Sequence, residues 1–364
     1  MSDFLTYPDV NFAYASSPPM VTAAFKRELS DFKVTEILGF EPTGDGEHIF
    51  IRLEKTGLNT AYIAEQLASF VQLPLRNVTY AGRKDKFSQS TQWFGIHSPG
   101  KKTFNWDDFQ LEGVQIIEIT RHDKKLRTGV LKHNHFAITL RAVSDMDELL
   151  ARIHRIEQCG VPNYYGQQRF GEVRFLDEQG QQQTKVGGNL LLAEQLFTGG
   201  KIKNRNKRSV AISALRSWIF NVAVAQRVSS GSDKSIESGD AVMLSGTNSF
   251  FVAQEADLPD LQRRFVERDL DLTAPLWGAG KLVTQGEQGA HEQHIAQRYP
   301  DICAALVDLG LKQERRAMHL YPQELTTQVL DSDTLLLQFA LPVGCFATSI
   351  LRECCVTHQQ DFQA

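Results

Sequence analysis

The residues best suited to chemistry lie in one short stretch, Tyr80-Ala81-Gly82-Arg83-Lys84-Asp85-Lys86. A single carboxylate stands there among three cations, and nearby positive charge favours the ionised form of an aspartate. An ionised Asp is a poor general acid. It can serve as a nucleophile or stabilise a cationic centre, while the neighbouring cations suit a polyanionic ligand. Taken alone, the stretch also reads as a solvated charged turn.

Two further basic clusters favour the polyanion. Arg121, Lys124, Lys125 and Arg127 form one, interrupted only by Asp123, and Lys201, Lys203, Arg205, Lys207 and Arg208 form another without an acid among them. The formal net charge of −4 argues against a nonspecific nucleic-acid binder. It is the local patch, however, that binds phosphate.

Other chemistries find little support. There is no GxGxxG fingerprint and no Walker A loop. The five cysteines (Cys159, Cys303, Cys345, Cys354, Cys355) contain no CxxC pair, which fits reduced thiols and argues against structural zinc. His122, His133 and His135 have no thiolate or carboxylate at ligand spacing, so no metal is expected. In His291-Glu292-Gln293-His294 the second His comes one position too early to share a helix face with the first.

The elements that must position Asp85 can be read from periodicity. Phe32 and Val34 alternate with polar residues, as do Ile49, Ile51 and Leu53, and the turn chemistry of residues 41–47 makes the two segments a hairpin. Asn59 or Thr60 caps a helix carrying Ile63, Leu67, Phe70 and Val71, which Pro74 ends. Strands are expected at 78–81, 91–96, 114–119 and 135–140, with Asn134 as a turn residue, then a helix through Leu149, Ile153 and Ile156.

A cluster of Gly, Pro and Asn at residues 159–166 marks a boundary. Beyond it, residues 181–183 and 187–188 read as loop. Helices are expected at 190–197, 209–228, 259–270 and 291–309, short strands at 241–244 and 250–252, a strand at 326–341 and a last helix at 347–354. Interspersed strands and helices with frequent hairpins give an α+β fold with a largely antiparallel sheet. The 364 residues suffice for two domains. No apolar run is long enough to span a bilayer, and the first residues lack a signal-peptide layout, so a cytoplasmic protein is expected.

Seven stretches, in order, carry a resemblance to the TruD family of tRNA pseudouridine synthases over nearly the whole chain. They are Lys26 with Asp31-Phe32-Lys33-Val34-Thr35-Glu36; Gly44-Asp45-Gly46-Glu47-His48 with Asn59-Thr60; Tyr80 to Lys86 with Thr91-Gln92; Lys125-Leu126-Arg127-Thr128-Gly129 leading to Asn134 and Phe136; Pro162 to Gly171; Ser213 to Ser217 with Phe220-Asn221; and Leu341 to Thr348 with Leu351-Arg352-Glu353. The resemblance implies conversion of uridine to pseudouridine in tRNA, at U13 in the D-stem region, without cofactor or metal. It places the essential aspartate on Asp85, acting at ribose C1′ by addition or by a glycal-type route, after which the uracil turns and rejoins through C5. Lys26 falls on the basic partner of that aspartate, Phe136 and Phe346 on aromatics that flank the target base, and Asn134 on a polar residue able to bond the uracil edge. Arg83 and Lys84 are expected to hold phosphate or the loop itself, and Lys201, Lys203, Arg205, Lys207 and Arg208 the tRNA backbone. One departure is His133, where a small residue is expected in a turn.

The resemblance also implies a discontinuous catalytic domain of residues 1–158 and 311–364, an inserted α/β family-specific domain of residues 159–310, a tRNA-holding cleft between them, and a monomer. Two alternatives stand beside it. One is a non-catalytic RNA-binding protein. The other is a nucleoside or glycoside hydrolase, which needs a second carboxylate beside Asp85, with Glu36 and Glu47 available.

Overall fold

A computed structural model describes residues 9–176, 182–198 and 200–359. The chain opens with strands Thr22–Phe25 (β1), Phe32–Leu38 (β2), His48–Thr56 (β3), Val78–Tyr80 (β4), Gln89–His97 (β5), Val114–His122 (β6) and Leu131–Arg141 (β7). Helices Thr60–Phe70 (α1) and Met146–Cys159 (α2) accompany them. The middle of the chain holds Val161–Pro162 (β8), Glu172–Leu176 (β9), Gln182–Val186 (β10), Gly188–Glu194 (α3), Arg205–Ser230 (α4), Ala241–Leu244 (β11), Phe250–Val252 (β12) and Leu258–Val266 (α5). Leu270–Leu276 (β13), Gly286–Arg298 (α6), Pro300–Asp308 (α7), Glu314–Ala317 (β14) and His319–Leu320 (β15) follow. The tail supplies Gln323–Asp331 (β16), Thr334–Pro342 (β17), Ala347–Cys354 (α8) and Val356–Gln359 (β18).

These elements form two compact units. The sheet unit gathers Pro19–Cys159, Tyr321–Gly344 and the tail from Cys354. Its strand order is β16-β17-β7-β2-β5-β3-β6, with β1 joining β7 and β18 and with β4 on β5. Pairing is antiparallel except for β2 with β5 and β1 with β18. Alternation puts Ile49, Ile51 and Leu53 on one face, where they pack with Phe94 and Ile96 against Ile63 and Leu67 of α1.

The expected hairpin of β2 with β3 does not form, because β5 lies between them. Two-residue periodicity fixes which face a strand buries and is silent about its neighbour. The loop 39–47 is long enough to cross over a strand. It is seated at Gly46, whose φ of +121° and approach to the His122 carbonyl, 2.2 Å from where a Cβ would stand, admit only glycine.

The second unit takes residues up to Pro18, Gly160–Leu320 and Cys345–Glu353. Its centre is α4, which starts earlier than its apolar stripe suggests, at Arg205. Asn204 caps it by accepting from the Lys207 N–H at 3.0 Å, and Gly231 ends it at φ 75°. Leu215, Trp218, Ile219 and Phe220 are buried along it. The helix expected at 259–270 stops at Val266, because Arg268 turns left-handed (φ 62°) and the chain enters β13, whose polar residues Asp271 and Thr273 are buried together with its apolar ones. The helix expected at 291–309 is two helices, broken where Pro300 disfavours helical backbone at Tyr299 (φ −127°, ψ 56°). Gln182 and Gln183 belong to β10 rather than a loop, and Gln181 lies outside the described residues. No helix among the described residues is long and apolar enough to cross a membrane.

Candidate active site

Asp85 stands on the loop between β4 and β5, and its side chain is 41% exposed. Of the groups that hold it, Lys26, Lys55 and Ser88 are buried and Phe87 is half-buried. Lys26 Nζ donates to Oδ2, and the Phe87 N–H donates to Oδ1 at 3.0 Å. The Asp85 main-chain carbonyl accepts from Lys55 Nζ at 2.6 Å and from Ser88 Oγ at 2.8 Å. Ser88 Oγ in turn lies 2.6 Å from Ser90 Oγ. Carboxylate and peptide are thus fixed separately, so the carboxylate oxygens keep one orientation while remaining open to a ligand.

Lys26 reaches Asp85 from just beyond β1, in left-handed backbone at φ 57°. Such a conformation costs a non-glycine residue about 1–3 kcal/mol and persists where the surroundings demand it. The demand here is double: the ion pair with Asp85, and the Phe32 ring, whose centroid lies 4.4 Å from Nζ. Phe32 stacks on Phe136 at 6.1 Å, and Phe136 on Phe339 of β17 at 5.5 Å. Phe136 is 7% exposed, so it forms part of the sheet's packed face and connects to Lys26 through Phe32.

Asn134 sits inside β7, opposite Glu36 on β2 and Leu341 on β17. The turn expected at residues 132–134 is strand, and His133 pairs with Ile37 and Pro342 within it. Asn134 Oδ1 is buried with no hydrogen-bond partner among the described residues. An orphaned acceptor costs about 1–3 kcal/mol and calls for an explanation, such as a donor supplied by a ligand.

The three cations beside Asp85 in sequence do not touch it. Lys84 Nζ pairs with Glu36 Oε1, whose other oxygen accepts from the Trp93 N–H at 2.8 Å. Burial pushes the Glu36 carboxyl up, while the charge and bond of Lys84 and the bond from Trp93 oppose that. The Lys84 N–H donates to Thr60 Oγ1 at 3.0 Å. Lys86 lies over the Phe87 ring and Arg83 is exposed. Lys84 therefore tethers the loop, and the cation on the carboxylate is Lys26. Glu36 and Glu47 are not partners of Asp85: Glu36 is taken by Lys84 and Trp93, and Glu47 by the Gly100 N–H and His97. Among the described residues no three His, Cys, Asp or Glu side chains gather to hold a metal ion.

This geometry sits in a chain whose residues 11–182 and 201–354 match the family tRNA pseudouridine synthase D (TruD). The chain is 48% identical over 94% of its length to tRNA pseudouridine synthase D of Pseudoalteromonas atlantica, covering 95% of that protein. It is 44% identical over 93% of its length to that of Shewanella oneidensis, covering 88%. The chain belongs to the TruD family. A crystal structure of the putative tRNA pseudouridine synthase D of Methanosarcina mazei shares the fold at a TM-score of 0.71 and 19% identity, over 94% of this chain and 95% of that one.

The remaining expected residues of this TruD-family chain lie in the second unit. Phe346 precedes α8 and meets Tyr165 edge-on at 5.7 Å, with the Arg169 guanidinium 5.6 Å from its ring. Gly166 allows this loop to close on α8, since a Cβ there would lie 2.3 Å from Thr348 Oγ1. Arg169 bonds Ser213 Oγ at 2.9 Å, its Nε is buried without a partner, and it pairs with no carboxylate among the described residues. Burial lowers its pKa, Tyr165 opposing and neighbouring Arg316 adding to the effect. Lys201, Lys203, Arg205, Lys207 and Arg208 are all exposed, the last three in the first turn of α4.

Sequence reasoning missed Lys55, Ser88 and Arg169 as site residues. The signal for Lys55 was its place, in step with Ile49, Ile51 and Leu53 on the buried face of β3. A lysine where the alternation demands an apolar residue needs a partner.

Proposed function

We propose that Asp85 is the residue through which this chain performs its family's reaction, the isomerisation of a uridine in tRNA to pseudouridine. The observation that carries the proposal is the exposed Asp85 carboxylate, held by buried Lys26 and by the Phe87 N–H, while the Glu36 carboxylate is engaged by Lys84 and the Trp93 N–H. A carboxylate so placed can add to ribose C1′, or stabilise the cationic centre from which a glycal forms. Glycoside hydrolysis instead uses a pair of carboxylates, and neither Glu36 nor Glu47 supplies the second one.

Phe136 and Phe346 are the proposed aromatic neighbours of the extruded base, which needs a stacking surface in exchange for the one it leaves. Asn134 Oδ1 is the proposed acceptor for the uracil N3–H, which would satisfy its buried oxygen. Arg83 is proposed to meet phosphate, and so is the basic run from Lys201 to Arg208. Three cations in the first turn of α4, with no acid among them, oppose the helix dipole. An RNA phosphate at that end reverses the sign of the interaction. The proposed catalytic domain is residues 1–158 with 311–364 and the proposed family-specific insert residues 159–310; the second compact unit contains the insert from Gly160 on together with residues up to Pro18, 311–320 and 345–353. The proposed target is U13 of the D-stem region, and the proposed compartment is the cytoplasm.

The test is Asp85→Asn. The amide keeps size and an acceptor for the Phe87 N–H but carries no charge. It should bind tRNA within a few-fold of the parent and form no pseudouridine when product is mapped on isolated tRNA. Product at the parental rate removes Asp85 from the mechanism, and release of free uracil by the parent protein favours hydrolysis.

A further inference from the structure

We propose that Lys55 is a positioning residue of the reaction: its buried ammonium holds the Asp85 peptide carbonyl and thereby fixes where the Asp85 carboxylate stands. The proposal rests on Asp85 being the reactive carboxylate.

The argument begins with cost. Lys55 is 0% exposed, in step along β3 with Ile49, Ile51 and Leu53, which are 2%, 0% and 0% exposed. Lysine is almost never fully buried unless paired. No carboxylate pairs with Lys55 among the described residues. Among the described residues its ammonium has one hydrogen bond, from Nζ to the Asp85 carbonyl at 2.6 Å. An apolar side chain would fill this position more cheaply, so the charge at Lys55 is accounted for by the loop above it.

The geometry shows what the contact achieves. The Asp85 carbonyl accepts two donors, Lys55 Nζ and Ser88 Oγ, which occupy both of its lone pairs. Across the sheet Lys55 faces Ser90 on β5 and Val114 on β6, so Ser90 and Ser88 sit with it under the loop. The peptide at Asp85 is pinned from beneath, while Lys26 and the Phe87 N–H orient the carboxylate above. Without Lys55 the carbonyl keeps only Ser88, and the loop can pivot about the Lys26 ion pair.

The charged groups facing Lys55 are Asp85, Lys84 and Lys26. Burial and the two lysines weaken its hold on the proton and Asp85 strengthens it, leaving a pKa of about 8. The ammonium is therefore present at neutral pH and lost on modest alkalinisation. A neutral amine still packs, but as a weaker donor to the carbonyl.

The experiment measures single-turnover pseudouridine formation at saturating tRNA, from pH 6.5 to 8.8, for the parent, Lys55→Met and Lys55→Arg, with tRNA affinity measured separately. A displacement near 1 Å in a reacting group costs about a hundredfold in rate, so Lys55→Met should lose roughly that factor at pH 7 with tRNA affinity unchanged. The parent rate should fall roughly sixfold between pH 7 and 8.8 as the ammonium is lost. Lys55→Arg does not titrate in this range and should recover at least a tenth of the parent rate with that alkaline decline absent. A parental rate in Lys55→Met overturns the proposal, as does a loss that appears in tRNA affinity instead of rate. If Lys55→Met fails to fold, the pH profiles of the parent and Lys55→Arg decide: an unchanged decline in the arginine variant overturns the proposal. Asp85→Asn run in parallel separates the two claims, since product from it defeats the reading of Asp85 whatever Lys55 does.

Discussion

Replacing Glu36 and Lys84, singly and together, tests whether the Asp85 loop is anchored by a buried charge pair. The Glu36 side chain is 0% exposed and that of Lys84 9%. Glu36→Gln keeps an acceptor for the Trp93 N–H but strands a buried ammonium, and breaking such a pair from one side costs about 3–5 kcal/mol. Lys84→Met should cost less, about 1–3 kcal/mol, because the stranded group is a carboxyl that burial already pushes toward its neutral form. Its cost should depend on pH with a definite sign. The folded-state pKa of Glu36 lies above its ordinary 4.5, so the stability it contributes is present below 4.5 and lost as pH rises through the folded value. Removing Lys84 removes the positive charge and the hydrogen bond that lower that pKa, so Lys84→Met should be closer to the parent at pH 5 than at pH 7. The double variant Glu36→Gln/Lys84→Met leaves no stranded charge. It should return to within about 1 kcal/mol of the parent, a coupling of at least about 3 kcal/mol. Urea unfolding followed by circular dichroism reads stability, and single-turnover pseudouridine formation reads function. Function should not return with stability: the double variant has lost the Lys84 tether, and its rate should stay about tenfold down. Additive single effects with no pH dependence, or a double variant of full activity, would refute the reasoning that this pair positions the loop.

Two further outcomes follow from the second unit. His319 lies 2.6 Å from Asp271 and 3.8 Å from Asp233, with the Phe265 ring against it. Burial alone would lower its pKa, but the charge of Asp271 and the bonds to Asp233 and Asp271 prevail and raise it to about 9. A raised folded value stabilises fully below the unfolded 6.5 and the contribution disappears as pH passes about 9. Up to about 3 kcal/mol should be lost between pH 6.5 and 10, a loss that His319→Gln should abolish in urea unfolding. At the start of α4, replacing Arg205, Lys207 and Arg208 together by Ala should reduce the slope of log tRNA affinity against log salt by about 2–3. The same change should leave stability equal or higher, since each cation opposes the helix dipole by about 0.3–1 kcal/mol. An unchanged salt slope removes this helix end from the RNA contacts.

Strands with one buried face were legible because alternation is a local property: His48–Thr56 and Leu131–Arg141 both contain the alternating residues read from sequence. Which strands are neighbours was not legible, and β5 between β2 and β3 is the instance. The buried strand Leu270–Leu276 escaped notice although Leu270, Leu272 and Ala274 alternate with Asp271 and Thr273: the polar face is buried as well, against His319 and Arg315, and Pro275 interrupts the pattern. At the candidate site, Asp85 and Lys26 are brought together as the resemblance implied, although 59 positions separate them and no periodicity relates them. The adjacent cations were legible only in part: Lys84 holds the loop, one of the two roles expected of it, but which cation meets the carboxylate was not readable. Sequence proximity suggested that Arg83, Lys84 and Lys86 surround Asp85, but on a tight loop consecutive side chains diverge, and Lys84 points to Glu36.

That divergence explains how one carboxylate can be exposed and still firmly placed. Around Asp85 stand three ammonium groups, Lys26, Lys55 and Lys84, and one further carboxylate, Glu36. Glu36 balances Lys84, so Lys26 and Lys55 are left to the single charge of Asp85. With all five groups ionised the cluster carries a net positive charge, which favours approach of a polyanion. Should the carboxylate be consumed in an ester with C1′, Lys26 and Lys55 would face no compensating charge, and burial makes that arrangement costly. The pressure would then favour re-forming the carboxylate, which is the step a nucleophile must complete before uracil can be fixed through C5. In the glycal route the carboxylate takes the C2′ proton as the glycal forms and returns it when C5 joins C1′, so it is neutral in between but never bonded to carbon. The two routes therefore differ in what Lys55→Met accumulates: breakdown of a trapped Asp85 adduct should slow in Lys55→Met if addition occurs, whereas no adduct accumulates if it does not. Mass spectrometry of Lys55→Met quenched during a single turnover reads the difference directly, as tRNA covalently joined to the protein or its absence.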